Sequence, residues 1–381
     1  QIDSFYAKGQ NNRDEIPFLV NITREVPYKY AVVLFGYIMP FLLIITIIAN
    51  TLIVIVLAQN HMRTPTNLVL LAMAIADLLT LLFPAPWYFY MYTFGNHDKV
   101  LYPPSACYAY HIMIEVLPAF FHTASIWLTL LLAGQRYIYV CHLTTSRTWC
   151  TVPRVCKAMV LIFIMAFCHQ STRFADRDFT TVEFVWNNTR RTGCQFETAK
   201  WVRESLGEDM YYILYYGFRI VFVHIGPCAL LVLLNVLLFR ALKKAQRKRE
   251  KLFNENRKSE CIKLRDSNST TIMLIVIVTV FLMLEIPLAV TTLLHVMQNA
   301  MAIEIAEYDS LNTTVLFTNF FIILSYPINF AIYCGMSKQF RQTFADLFLY
   351  NNYTASVSHR ECSSRYSAVN GPRTSTNETI L

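Results

Sequence analysis

Seven stretches of the chain, at about 31–58, 67–92, 106–140, 155–172, 211–240, 270–297 and 311–334, are long apolar runs with few charges. A helix needs ~20 largely apolar residues to cross a bilayer, so each run predicts a membrane-spanning helix. The fourth is the shortest and fades into His169-Gln170-Ser171-Thr172-Arg173. Within the third run His111, Glu115, Pro118, His122, Ser125, Thr129, Leu132 and Arg136 recur at alternating steps of four and three, which is one face of an α-helix. Its other faces carry Ile112, Val116, Phe120, Trp127 and Leu131. Polar groups at membrane depth turn toward other helices or a wet cavity. The stripe therefore predicts an interior that runs through the bundle, with Arg136 at its far mouth.

The pattern predicts an all-α membrane protein, a bundle of seven transmembrane helices. A composition of 55% hydrophobic and 15% charged residues agrees, since soluble domains average about 25% charged. Charge adds the orientation. Lys and Arg outnumber Asp and Glu at Arg63, in Arg136–Lys157, in Arg240–Arg265 and in Lys338–Arg373, and the balance reverses on the alternate segments. Basic excess marks the cytoplasmic side, so the N-terminus is expected outside and the C-terminus inside. The net charge of +8 follows from that anchor and calls for no nucleic acid.

The organisation expected is an extracellular tail at 1–30, the seven-helix domain at 31–336, an amphipathic membrane-surface helix at 337–350 and a cytoplasmic disordered tail at 351–381. The surface helix is read from Phe340, Phe344, Leu347 and Phe348 alternating with Lys338, Arg341 and Gln342. Residues 241–268 are expected to extend spans five and six as helices, and no secretory leader is read at the start. Sequons on the expected outside are Asn21, Asn187 and Asn312, candidate glycosylation sites. Cys107 and Cys194 are the cysteines at outer positions, and that compartment permits their disulfide. No Cys/His spacing reads as a metal module.

Asn50 in span one, Leu71-Ala72-Met73-Ala74-Ile75-Ala76-Asp77 in span two, Arg136-Tyr137 ending span three, and Pro227, Pro287 and Pro327 in spans five to seven are further landmarks. In that order and on those spans they resemble the rhodopsin-like (class A) G-protein-coupled receptors, over about 30–350. Pro227, Ile126 and Phe281 resemble that family's connector between ligand and effector ends. Three longer runs, Pro118 to Thr129, Gln135 to Cys141 and Ser325 to Ser337, are similar to the invertebrate receptors for myoinhibiting (allatostatin-B) and sex-peptide-type neuropeptides. The resemblance implies a multi-pass receptor of the plasma membrane, not an enzyme. It implies an amidated peptide ligand with two spaced tryptophans, an inhibitory heterotrimeric G protein that lowers cyclic AMP, and arrestin.

Three positions depart from the wider family. Gln135 replaces the acidic residue before the arginine, Glu285 stands where an aromatic precedes the span-six proline, and Tyr326-Pro327-Ile328-Asn329-Phe330 replaces Asn-Pro-x-x-Tyr. Arg136, with Gln135 and Tyr137, is the expected coupling site, where a guanidinium exchanges partners as span six moves. Glu285 and His122 are expected to meet, as a ligand-responsive switch or as a structural pair. Asp77 with Ser125 and Asn50 resembles the family's sodium pocket, the one cofactor expected; the other reading is a protonated aspartate hydrogen-bonded to its neighbours.

Trp87, Tyr90, Glu115, His122, Glu285 and His295 are the candidate ligand contacts. For the aromatic group of Trp87 to Tyr92, beyond the bend at Pro84 and Pro86, an interface belt is an equal reading. His111 and Glu115 face either the ligand or the long loop, or pair along their helix. Cys362, or Cys334 in its place, is a palmitoylation candidate. The terminal Thr379 and Leu381 suit strand addition to a PDZ domain. The other readings weighed are a receptor for a different neuropeptide such as an FMRFamide-like peptide and, more remotely, an ion-coupled transporter. An intramembrane hydrolase lacks any ordered motif.

Overall fold

The bundle is built around the third helix, which packs against the second, fourth, fifth and sixth. The computed structural model describes residues 28–97, 99–186, 189–254, 258–301 and 308–348. Seven helices are long and apolar enough to cross a membrane: α1 (Lys29–Leu57), α2 (Pro65–Thr93), α3 (Pro104–Cys141), α4 (Val152–Phe174), α5 (Glu208–Arg247), α6 and α7. The helix of α6 runs Lys258–Met301 and that of α7 Tyr308–Met336. Helix continues past the span of α5 to Asn254 and begins at Lys258 before that of α6.

The helices around α3 turn an apolar face outward. On α1 Phe41, Ile44, Ile45 and Ile48 are exposed, and on α5 Leu230, Leu233 and Phe239. That spacing is a continuous stripe, which in water would be a large apolar patch and in a bilayer meets lipid of its own polarity. The inward faces make two main clusters. One joins Phe35, Met39, Leu81, Met91, Tyr92, Leu288, Phe320 and Tyr326; the other joins Ile53, Met62, Val69, Met73, Leu128, Leu132, Ile277 and Tyr333.

Local sequence explains the ends. Thr64 caps α2, its Oγ1 accepting from Asn67 N at 3.2 Å, and Pro65 takes the first helical position, where no N–H is needed. Gly36 lets α1 lie against α2, for a Cβ there would sit 3.0 Å from the Tyr92 carbonyl oxygen. Thr93 Oγ1 donates to the Gly36 carbonyl at 3.1 Å across the same contact. Four stretches widen into π-helix: Val32–Ile38, Phe89–Thr93, Ile112–Val116 and Ile220–Ile225. All lie in the half of the bundle that carries the long loop between α4 and α5.

That loop is the departure from an all-helical fold. Arg177–Trp186 (β1) and Thr189–Thr198 (β2) pair antiparallel with Thr181 opposite Cys194. The Cys107–Cys194 disulfide, Cα atoms 6.5 Å apart, fastens β2 to the start of α3, and Cys194 N–H donates to Leu101 O at 3.1 Å.

After α7 the expected surface helix runs Lys338–Phe348 (α8). Ser337 Oγ accepts from Phe340 N at 3.2 Å, and Arg341 Nη1 donates to Gly335 O at 2.9 Å, so one helix is capped as the other ends. Its apolar side is divided. Phe340 is buried against Phe330 and Tyr333 of α7 while Phe348 stays exposed. His61 meets Thr343 at 2.9 Å, fixing α8 to the turn after α1 as well.

Candidate functional site

Three polar layers lie on the axis that the α3 stripe defines. The first is a cavity of about 440 Å³ at the hairpin end, walled by all seven helices. Tyr88, Met91 and Tyr92 of α2, Glu115, Pro118 and His122 of α3, Arg173 of α4, Tyr216, Arg219 and His224 of α5 and Tyr326 of α7 face it. At its rim Glu115 takes Arg173 Nη2 at 2.8 Å and Arg177 Nη1 at 3.2 Å. Arg173, itself buried, also pairs with Asp176. His111 Nδ1 lies 3.2 Å from Glu115 Oε2, and His111 Nε2 donates to Arg173 O at 3.1 Å. His111 and Glu115 thus pair along their helix and also grip the loop. Burial opposes the charge on Arg177, but the Glu115 carboxylate beside it holds its pKa above the usual value.

The second layer is the floor. Glu285 is 1% exposed and reaches both His122 Nε2 at 2.9 Å and His224 Nδ1 at 3.7 Å. One carboxylate therefore joins α6 to α3 and to α5. His122 and Tyr326 also line the space below, about 30 Å³ around Asp77. There Asp77 Oδ1 accepts from Ser125 Oγ at 2.7 Å and Oδ2 from Asn329 Nδ2 at 3.4 Å. Among the described residues Asp77 has no ion-pair partner, so this carboxylate is met by neutral donors alone.

The third layer is a space of about 630 Å³ at the opposite end, lined by Arg136, Tyr139, Asn67, Tyr333 and residues of α8. The Arg136 guanidinium lies 5.8 Å from the Tyr139 ring centroid, and its Nε is buried without a hydrogen bond. Gln135 is buried with both amide atoms unpartnered. No carboxylate pairs with Arg136 among the described residues. Tyr137 packs edge-on against His142. Ile126 and Pro227 are buried, Phe281 packs with Cys228, Leu231 and Leu282 in a third cluster, Pro327 is half-buried and Pro287 is exposed.

Several expectations are corrected. Trp87 and Tyr90 do not line the cavity: Trp87 meets Tyr110 and Tyr90 edge-on and Tyr90 is exposed. The π-turn beyond Pro84 and Pro86 gives the inward face to Tyr88, Met91 and Tyr92. Asn50 is buried but binds its own helix, Nδ2 donating to Thr46 O at 3.1 Å, and it takes no part in the Asp77 pocket, where Asn329 stands instead. Asn312 lies near the start of α7, half-buried, and lines the cavity. His295 lies on α6, with its side chain outside those described; Asn21, Asn187, Cys362, Thr379 and Leu381 are outside the described residues, and Cys334 is half-buried.

Sequence reasoning missed His224, Arg219 and the Arg173, Asp176 and Arg177 group. His224 had a usable signal, lying three residues before Pro227 as Glu285 lies two before Pro287. The loop group had none, since its partners are brought together only by the hairpin.

Residues 37–351 match the family described as serpentine type 7TM GPCR chemoreceptor Srw. The chain is 53% identical over 363 residues to the sex peptide receptor of Drosophila melanogaster, covering 95% of this chain and 82% of that protein. It is 36% identical over 328 residues to sex peptide receptor-related protein 2 of Caenorhabditis elegans, covering 83% and 72%. To the FMRFamide receptor of Drosophila melanogaster it is 24% identical over 320 residues, covering 80% and 52%.

Proposed function

The chain belongs to the serpentine seven-helix G-protein-coupled receptors, multi-pass proteins of the plasma membrane, and from that premise we propose that it is the receptor for an extracellular neuropeptide of the myoinhibiting or sex-peptide type. The hairpin end is extracellular and the Arg136 end cytoplasmic, a reading the basic excess on the Arg136 side supports. The observation that carries the reading is the cavity at the hairpin end, walled by all seven helices and floored by His122 and His224 around Glu285.

A ligand that binds better when α6 is displaced shifts the population toward that state. Displacing α6 strains Glu285 against α3 and α5 at once, and at the far end it frees the Arg136 space for the C-terminal helix of a G-protein α subunit. Arg136, paired with no carboxylate among the described residues, is poised for that exchange. The G protein is of the inhibitory class, and arrestin shares the same face. Cys362 is the lipidation site.

Asp77, Ser125, Thr129 and Asn329 offer hard oxygen atoms around a carboxylate without a counter-ion, which suits a monovalent cation such as sodium. When bound, that ion supplies positive charge at Asp77 and favours the resting packing.

The test is expression in cells with a cyclic-AMP reporter, treated with an amidated two-tryptophan peptide, beside Arg136→Ala. A saturable fall in cyclic AMP that the variant lacks is the expected result. A silent wild type displayed at the surface would overturn the ligand assignment.

A further inference from the structure

We propose that Arg219 holds the C-terminal carbonyl group of the peptide, so that the ligand enters the cavity C-terminus first. The inference rests on the peptide-receptor reading above and names the part of the ligand that reaches deepest.

The observation is a charge left over. Of the charged side chains that line the cavity, Glu115 is paired with Arg173 and Arg177, and Arg173 also with Asp176. His122 and His224 share Glu285. Arg219 has no ion pair or hydrogen bond among the described residues, and its Nε is buried without a partner. Its surroundings do not compensate it, for His122, His169 and His224 are within its electrostatic reach. A guanidinium at membrane depth is costly unless an acceptor or water meets it. With five N–H donors in one plane it matches the oxygen of a carboxylate or carboxamide.

Position explains why a chain end supplies that oxygen. Arg219 lies eleven residues into α5, roughly 16 Å along the helix from Glu208 at 1.5 Å per residue, and the His122–Glu285–His224 floor closes the space beyond. A cavity of about 440 Å³ closed at its base admits the end of a peptide and gives no exit for a strand passing through. An N-terminal ammonium brought there would meet Arg219 as a like charge. The C-terminus, as carboxamide or carboxylate, brings the acceptor that the guanidinium lacks. The carbonyl oxygen takes one or two N–H bonds, and no covalent step is involved.

The experiment uses two-tryptophan peptides with no Asp or Glu, in amidated and free-acid forms, on cells displaying the wild type, Arg219→Gln, Arg219→Lys and Arg219→Glu, with surface display measured for each. Loss of a charge-assisted hydrogen bond is a factor of about 10 to 100. Arg219→Gln is expected to raise the half-maximal concentration of the preferred form by that factor and to remove the difference between acid and amide, with Arg219→Lys between. Preference of the wild type for the acid assigns a carboxylate and for the amide a carboxamide, and either supports the inference. A peptide ending in an aminoethylamide, which carries a cation, is expected to regain potency on Arg219→Glu. Arg219→Gln at normal display that keeps both potencies within threefold overturns it, as does a failure of that regain. A wild type silent to both forms removes the peptide reading and this assignment with it, an outcome distinct from a responsive wild type indifferent to Arg219.

Discussion

Replacing Glu285 by Gln tests the claim that one carboxylate holds α6 to its neighbours. The distances of 2.9 Å to His122 and 3.7 Å to His224 give gross attractions to a protonated imidazole of about 6 and 4 kcal/mol at an effective dielectric of ~20. Desolvation and the membrane-inserted reference state cancel most of this, and polar pairs between helices in membranes measure about 0.6 kcal/mol and at most ~1.7. The shorter pair is therefore expected to couple by about 1–2 kcal/mol and the longer by about 0.5 kcal/mol. The assay is reversible unfolding in mixed micelles of Glu285→Gln, His122→Asn, His224→Asn and the two double variants, read as double-mutant cycles. In cells the same loss releases α6 by roughly tenfold in population for each 1.4 kcal/mol, so Glu285→Gln is expected to raise basal signalling. A coupling between Glu285 and His122 below about 0.3 kcal/mol, or a larger one to His224, would refute the reasoning.

Tyr88→Ala is expected to weaken peptide potency about tenfold while Trp87→Ala leaves it within threefold, since only Tyr88 faces the cavity; concentration–response curves decide, and the reverse order would restore the sequence expectation. Gly36→Val is expected to cost about 1–3 kcal/mol through overpacking against Tyr92, read as lower melting temperature and surface display. Cys194→Ser is expected to cost roughly 2–5 kcal/mol and to loosen the hairpin, and Cys107→Ser with Cys194→Ser together should be little worse than either alone.

The seven spans were legible because a bilayer imposes a length that needs no tertiary information. The α3 stripe was legible because a polar face of that period has nowhere to go but inward: His122 lines the first two of the three spaces found there, Ser125 the second and Arg136 the third. The hairpin was hidden in a loop read for charge, although Phe179, Thr180, Thr181, Val182, Phe184, Val185 and Trp186 on β1 are all β-branched or aromatic. Trp87 was misassigned because aromatic character does not report which way a helix is turned. Arg219 was passed over because a cation without a partner among the described residues is recognised only once their carboxylates have been placed.

The π-helical stretches carry a consequence for how relatives are compared. In an α-helix each residue advances the face by about 100°, and a π-bulge accommodates one extra residue, so a single-residue gap in Phe89–Thr93, Ile112–Val116 or Ile220–Ile225 would turn every cavity-facing side chain beyond it to another direction. One inserted or deleted residue there would re-aim several cavity-facing side chains at once. A gapless alignment carried through those stretches would match Arg219 or Tyr92 with residues that face lipid.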